Sequence, residues 1–190
     1  MGGMLPYPYT PTVAHIDRLT PKDAALSTRQ RSTAAACRLL ELLLNNPIEL
    51  AHLNSGKPFL SNYAYSLSIA HSEHYVAVLI APAPLFVGID IEEPREKLLT
   101  SAPRFMHHKE LSHFHSLAGR HEAMEYALQV WCAKEAAFKA IPHASAGFAS
   151  DYLLDNGYIL YYPTLSSFPV NFYRSRAYLL ASVCIAALTE

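Results

Sequence analysis

The sequence predicts an α+β fold of two similar lobes, each with a small antiparallel sheet and a packed long helix. Both halves of the chain run in the same order, a helical region followed by antiparallel strand-like segments. The length of 190 residues suits one large domain or two small ones. The segment APAP at 81–84 cannot continue a central strand. We therefore place the lobes at 1–83 and 84–190.

Composition favours a folded protein and gives no global electrostatic reason for a nucleic-acid or membrane partner. Apolar residues make up 51% of the chain, enough for a substantial core, and the net charge is only −1. Three widely spaced cysteines indicate reduced thiols, and the N-terminus lacks the basic and apolar regions of a signal peptide. The apolar run 177–188 is too short to span a bilayer. We expect a cytoplasmic protein.

The first half opens with a helix that carries basic residues. The sequence TPKD at 20–23 is a helix-start signal, and residues 24–44 favour a helix. Arg29, Arg31 and Arg38 lie on it, and the last two share a face because they are seven residues apart. They form either a solvated basic edge or a phosphate-binding edge.

A turn and a hairpin follow the helix. The segment NSGKP at 54–58 is a turn that presents Lys57. Strand-like runs at 65–70 and 75–81 are joined by HSEH, which predicts an antiparallel hairpin. His71 sits at its corner, either as a surface residue or facing a cleft.

The stretch FVGIDIEE at 86–93 predicts the strand around which the second half is organised. Its apolar residues alternate with Gly88, Asp90 and Glu92, so the two acids share a face. Gly88 leaves room for something to approach the backbone closely. Two acids on one face need compensation, either from solvent or from a hard divalent cation with oxygen ligands.

Residues 95–122 look helical and polar and contain five histidines. No pair has the spacing of a zinc-binding helix motif, so we interpret them as surface residues. A His-rich protein that buffers zinc or nickel remains an alternative hypothesis.

The strongest helix signal covers 122–140, rich in Ala, Leu, Met, Glu and Lys. Trp131, Lys134, Glu135 and Phe138 fall on one stripe, where an acid among aromatics needs a partner. Beyond it, the turn DNG at 155–157 separates strand-like runs at 152–154 and 158–162, and a final strand is expected within 177–188. These segments complete the second lobe.

Four motifs, taken in order, resemble one family. The chain reads GKP at 56–58, AHS at 70–72, GIDIE at 88–92 and WCAKEAAFK at 131–139. This combination resembles the 4′-phosphopantetheinyl transferases. Length and outline are similar to the larger, pseudo-dimeric Sfp-type class, which implies a monomer whose two lobes are related by a pseudo-two-fold axis.

The resemblance implies a set of site residues. The acids that match the family's magnesium ligands are Asp90, Glu92 and Glu135. The residues that match its coenzyme A contacts are Lys57, His71, Ser72, Lys134, Lys139 and one of Arg29, Arg31 or Arg38, of which the last two fit best. Glu135 is the first candidate for general base and Glu92 the second, with Asp90 and Lys139 completing the catalytic group. Two positions depart from the family pattern, Ala70 for a usual serine and Ser68 for a frequent asparagine, and either change could remove a hydrogen bond to the nucleotide.

By this resemblance the protein moves the 4′-phosphopantetheine arm of coenzyme A onto a serine of an apo carrier protein, with Mg²⁺, and releases adenosine 3′,5′-bisphosphate. The site is expected in the cleft between the lobes. The carrier is expected to dock beside it, against apolar residues within 104–117. The alternative is a module of the same fold that binds coenzyme A or a carrier protein without transfer.

Overall fold

A computed structural model describes residues 10–20 and 26–186, and within them the chain forms four antiparallel sheets. The strands are β1 (Thr12–His15), β2 (Leu50–His52), β3 (Pro58–Leu60), β4 (Tyr65–His71), β5 (Tyr75–Pro82), β6 (Phe86–Glu92), β7 (Tyr152–Asp155), β8 (Tyr158–Tyr161), β9 (Ser166–Pro169), β10 (Asn171–Arg174) and β11 (Leu179–Ile185). The helices are α1 (Ile16–Leu19), α2 (Thr28–Leu44), α3 (Glu96–Phe105), α4 (His108–Ser116), α5 (Arg120–Ala140) and α6 (Phe148–Asp151), with a 3₁₀ turn at Tyr162–Thr164. In this part of the chain no helix is long and apolar enough to cross a membrane.

The two main sheets have the same topology. In the first half, β1 pairs with β5, which pairs with β4; in the second, β6 pairs with β11, which pairs with β10. A long helix, α2 or α5, separates the first strand from the other two in each half. The predicted α+β class is therefore confirmed. The pseudo-two-fold axis and the lobe boundary at residue 83, which falls in the β5–β6 connection, stay predictions.

The main elements are layered as helix, sheet, sheet and helix. Alternate residues of β5 explain the arrangement, because Val76 and Val78 pack in one cluster with Leu40 of α2. Leu79, on the opposite face of β5, belongs to a second cluster that includes Ile89 of β6. Helix α5 covers the other face of the second sheet. The inner faces of the two sheets thus form the core that joins the halves.

Strand β6 is buried on both faces, which the alternating sequence did not predict. A Cβ added at Gly88 would lie 1.9 Å from the carbonyl oxygen of Ala136 and 2.6 Å from the amide nitrogen of Ala140. The close approach that Gly88 allows is therefore that of helix α5. Asp90, on the same face, is only 7% exposed.

The predicted start of the first helix is wrong. Thr20 caps the C-terminus of the short helix α1, and α2 begins at Thr28 with Ser27 as its N-cap. Ser27 and Gln30 form a reciprocal capping box, a local signal that fixes this start. The remaining predicted start positions, 21–24, lie outside the described residues. The strand β1 is likewise not predicted from the sequence.

In the second half the hairpin predicted at DNG is confirmed, since Asn156 and Gly157 both have positive φ between β7 and β8. The helical region 95–122 is instead divided into α3, α4 and the first residues of α5. His107, predicted as a surface residue, is buried and caps the N-terminus of α4. The final strand ends at Ile185, and residues 187–188 of the predicted run lie outside the described residues.

Candidate active site

The ammonium group of Lys139 lies between Asp90 and Glu135. Lys139 Nζ donates to Asp90 Oδ1 at 2.7 Å and to the Ile89 carbonyl at 3.0 Å, and it lies 4.0 Å from Glu135 Oε2. Burial disfavours the charged amine, but the charge and hydrogen bond of Asp90 together with the Glu135 charge outweigh it and raise the Lys139 pKa. Asp90 Oδ2 is buried and has no hydrogen-bond partner within the described residues. Strand β6 and helix α5 therefore bring together three of the predicted site residues.

Glu92 belongs to the same electrostatic environment. Its Oε1 accepts from Trp131 Nε1 at 3.0 Å and from Arg95 at 2.7 Å. Burial, followed by the Asp90 charge, raises the Glu92 pKa to about 7. Burial and the same Asp90 charge also raise the Glu135 pKa. The cluster therefore carries more negative charge than Lys139 and Arg95 neutralise.

The donor chemistry fits a hard divalent cation, although the three-carboxylate centre is not preformed. Among residues 10–20 and 26–186, no group of three His, Cys, Asp or Glu side chains is close enough to hold a metal ion. Lys139 contacts two of the three acids instead. A bound cation would give the unpaired Asp90 Oδ2 a partner and would lower the raised pKa values of Glu92 and Glu135.

Lys57 reaches across from the first half to the end of α5. Its Nζ donates to the carbonyl of Lys139 at 3.0 Å and lies 5.7 Å from the centroid of the Phe86 ring. Burial lowers the Lys57 pKa. A cavity of about 700 Å³ is lined by Lys57 and Ser68 from the first half and by Phe86 and Lys139 from the second. Lys139 thus joins this cavity to the acid cluster.

His71 and Ser72 lie where β4 turns toward β5, beside the end of β6. The Ser72 hydroxyl accepts from the amide of Tyr75 at 3.3 Å. Glu93 accepts from the amide of His74 at 2.9 Å and contacts its ring Nδ1 at 2.9 Å. The turn is therefore held against the strand that carries the acids, and His71 itself is exposed.

Lys134 does not join the other cations. Its side chain is fully buried, and Nζ donates to the carbonyls of Phe105 at 2.8 Å and Phe148 at 2.9 Å and to Glu110 Oε2 at 2.6 Å. Successive residues of a helix point in different directions, so the neighbour of Glu135 faces the core. The expected contact of Lys134 with phosphates does not agree with this position.

The two arginines of α2 differ in their surroundings. Arg31 pairs with Asp17 and donates to the Thr20 carbonyl at 3.3 Å, whereas Arg38 is exposed and pairs with Glu41 at 3.3 Å. Arg31 is therefore the better ordered candidate, and its role toward the nucleotide stays a prediction.

The two departures from the family pattern have structural roles. Ala70 packs in the apolar core between the sheets and is buried. Ser68 Oγ accepts from the backbone amide of Ile89 at 3.0 Å and so connects β4 to β6. Sequence reasoning missed this bond because it joins residues far apart in the chain.

The apolar residues of 104–117 pack mainly toward the core of the second half. Phe105 and Met106 are buried, and Leu111 and Phe114 pack against the core of the second half. Segment 104–117 therefore turns its apolar side inward and leaves mainly polar and basic side chains outside. The docking of a carrier against this segment stays a prediction.

The match to a known family covers the part of the chain that contains the acids. Residues 86–165 match the family model described as the 4′-phosphopantetheinyl transferase superfamily. The curated proteins include none with significant similarity to this chain. Asp90, Glu92 and Glu135 all lie within the matched residues, and the match supports a general role in phosphopantetheine transfer with coenzyme A as substrate. The resemblance indicated by the sequence motifs is thereby confirmed for residues 86–165, which are similar to the 4′-phosphopantetheinyl transferase superfamily.

Proposed function

We propose that this protein transfers the 4′-phosphopantetheine arm of coenzyme A to a serine of an apo carrier protein, in the manner of the Sfp-type class. The observation that carries the proposal is the partly buried, partly uncompensated acid cluster of Asp90, Glu92 and Glu135 beside Lys139, within the matched residues. Lys139 also lines the cavity between the halves, which has room for part of coenzyme A.

The transfer exchanges one phosphorus–oxygen bond for another. The carrier serine oxygen bonds to the β-phosphorus of coenzyme A, and the bond from that phosphorus to the bridging oxygen breaks, which releases adenosine 3′,5′-bisphosphate. The serine proton passes to a carboxylate, with Glu135 as first candidate and Glu92 as second.

The other residues of the site bind and orient the substrate. Lys57 and Lys139 offer ammonium groups to the phosphates from opposite halves. His71 and Ser72 would contact the adenosine phosphates from the turn beside β6. Asp90, Glu92 and Glu135 would hold Mg²⁺, which supplies charge neutralisation for the pyrophosphate when bound.

The proposal is tested by incubating the protein with coenzyme A, Mg²⁺ and each of several purified apo carriers from fatty-acid, polyketide and peptide synthetases. We expect at least one carrier to gain the mass of the arm, and a chelator to prevent the gain. If coenzyme A binds but no carrier gains mass, the protein is instead a binding module.

A further inference from the structure

We propose that Trp131 is a positioning residue for Glu92, and that the buried pair of Lys134 and Glu110 holds Trp131 in place. This inference rests on the proposed function, because it assigns Glu92 to the reacting cluster. The first link is direct, since the indole Nε1 donates to Glu92 Oε1 at 3.0 Å. Arg95 also contacts Glu92, but its side chain is 51% exposed, so solvent weakens that pair.

The indole ring is fixed by two phenylalanines. Phe105, the last residue of α3, meets it edge to face with ring centroids 5.1 Å apart. Phe148, the first residue of α6, meets it edge to face at 5.8 Å. Such contacts fix the orientation of a ring as well as bury it. The direction of the indole N–H therefore depends on where these two phenylalanines lie.

Lys134 holds the backbones of the same two phenylalanines. Its ammonium donates to the carbonyl of Phe105 at 2.8 Å and to that of Phe148 at 2.9 Å. Lys134 lies on α5 three residues after Trp131. One turn of this helix therefore carries both the indole and the ammonium group that holds the two phenylalanines around it. The third hydrogen bond of Lys134 goes to Glu110 at 2.6 Å.

Glu110 completes a fully bonded network. Its Oε2 also accepts from the amide of His107 at 2.7 Å, and its Oε1 accepts from the amide of Leu154 at 2.7 Å. The side chains of Lys134 and Glu110 are 0% and 1% exposed. A buried polar network in which each member is bonded permits one arrangement and resists others. It joins α3, α4, α5, α6 and β7 around the indole that holds Glu92.

The variant Trp131→Phe tests the first link, because it keeps an aromatic ring and removes the N–H. The Mg²⁺ concentration for half-maximal transfer should rise about tenfold, equivalent to about 1.4 kcal/mol. The KM for coenzyme A should stay within about twofold, because the substrate contacts are untouched. The control Tyr158→Phe removes an exposed hydroxyl and should change neither value. A Trp131→Phe enzyme with the wild-type Mg²⁺ response would overturn the proposal.

Tryptophan fluorescence tests the same link without any transfer, because Trp131 is the only tryptophan in the chain. Mg²⁺ alone should shift its emission in the wild type, and Glu92→Gln should remove that shift. If the wild type loads no carrier but the shift occurs and depends on Glu92, the proposed function fails and the positioning role stands. If carriers are loaded but Mg²⁺ leaves the emission unchanged, the positioning role fails and the function stands.

The second link is tested by Lys134→Met combined with Glu110→Gln, which removes both charges together. We expect a red-shifted Trp131 emission and a higher Mg²⁺ requirement, in the direction of Trp131→Phe. If the double variant does not fold, Phe148→Leu serves in its place. It removes one of the two aromatic contacts of the indole ring, leaves the ion pair intact and should change the emission and the Mg²⁺ requirement in the same direction. Wild-type emission and Mg²⁺ response in the folded double variant, or in Phe148→Leu, would overturn the second link.

Discussion

The two halves of the molecule share one topology but place different chemistry beneath the long helix. In the first half the strand residues that face α2 are apolar, such as Val76 and Val78. In the second half β11, the counterpart of β5, also presents apolar residues to α5, but the neighbouring strand β6 presents Gly88, Asp90 and Glu92. The same layer of the fold therefore provides stability in one half and partly buried acids with raised pKa values in the other. A site can arise in this architecture by exchanging side chains at one helix–sheet interface.

The largest expected effect is a loss of activity that only the variant in the second half should show. Glu135→Gln in the second half should lower the transfer rate by at least about a thousandfold, because it removes a charged group next to the reacting atoms. Val78→Ala in the first half should cost about 2 kcal/mol of unfolding free energy and leave the specific activity of the folded protein unchanged. Carrier mass gain and urea denaturation measure the two effects. Near-normal transfer by Glu135→Gln would remove the acid cluster from the chemistry.

The next effect concerns the contact between β6 and α5. Gly88→Ala would place a Cβ 1.9 Å from the backbone oxygen of Ala136, so the strand or the helix must move. We expect a loss of at least about 3 kcal/mol in unfolding free energy, measured by urea denaturation. Gly119→Ala is the matched control, because its Cβ would have its nearest neighbour at 3.4 Å, and it should cost under about 1 kcal/mol. Equal losses in the two variants would show that β6 and α5 are not packed this closely.

A pH effect should also distinguish the second half. The folded-state pKa of Glu92 is about 7, above its ordinary value of 4.5, so the folded state binds more protons than the unfolded state between these pH values. Stability from this group is therefore complete below about pH 4.5 and is lost as the pH rises through 7, by about 3 kcal/mol. Urea denaturation across this range, with a chelator present, should show a smaller decrease for Glu92→Gln than for the wild type.

The matched variant in the first half is Glu41→Gln, which removes a partly exposed acid on α2. Its pH dependence should follow that of the wild type. If the stability of the wild type and that of Glu92→Gln depend on pH in the same way, the raised pKa of Glu92 is wrong.

The smallest expected effect concerns the hydrogen bond between Ser68 and Ile89, which connects the two halves. Ser68→Ala removes the acceptor for the buried amide of Ile89, and the unpaired amide should cost about 1–2 kcal/mol of unfolding free energy. The exposed Ser116→Ala removes only a local bond within its own helix end and should change stability by less than about 0.5 kcal/mol. A neutral Ser68→Ala would mean that this bond does not help to join the halves.

Local sequence patterns predicted the elements that carry the site, and long-range contacts explain what they missed. The alternation in 86–93 predicted β6, and helix-forming residues within 122–140 predicted most of α5. The partner of Lys134 was not predictable, because Glu110 lies 24 residues away on a helix whose sequence is mostly polar. For the same reason, the burial of segment 104–117 against the second-half core could not be deduced from periodicity.

The most direct test of the proposed transfer compares the wild type with Asp90→Asn in one assay of carrier mass. Both proteins are incubated with coenzyme A, Mg²⁺ and an apo carrier that the wild type modifies, after circular dichroism has shown that both are folded. We predict that the carrier gains the mass of the 4′-phosphopantetheine arm with the wild type and gains none with Asp90→Asn. Equal mass gain with the two proteins would contradict the assignment of the β6 acids to the reacting site.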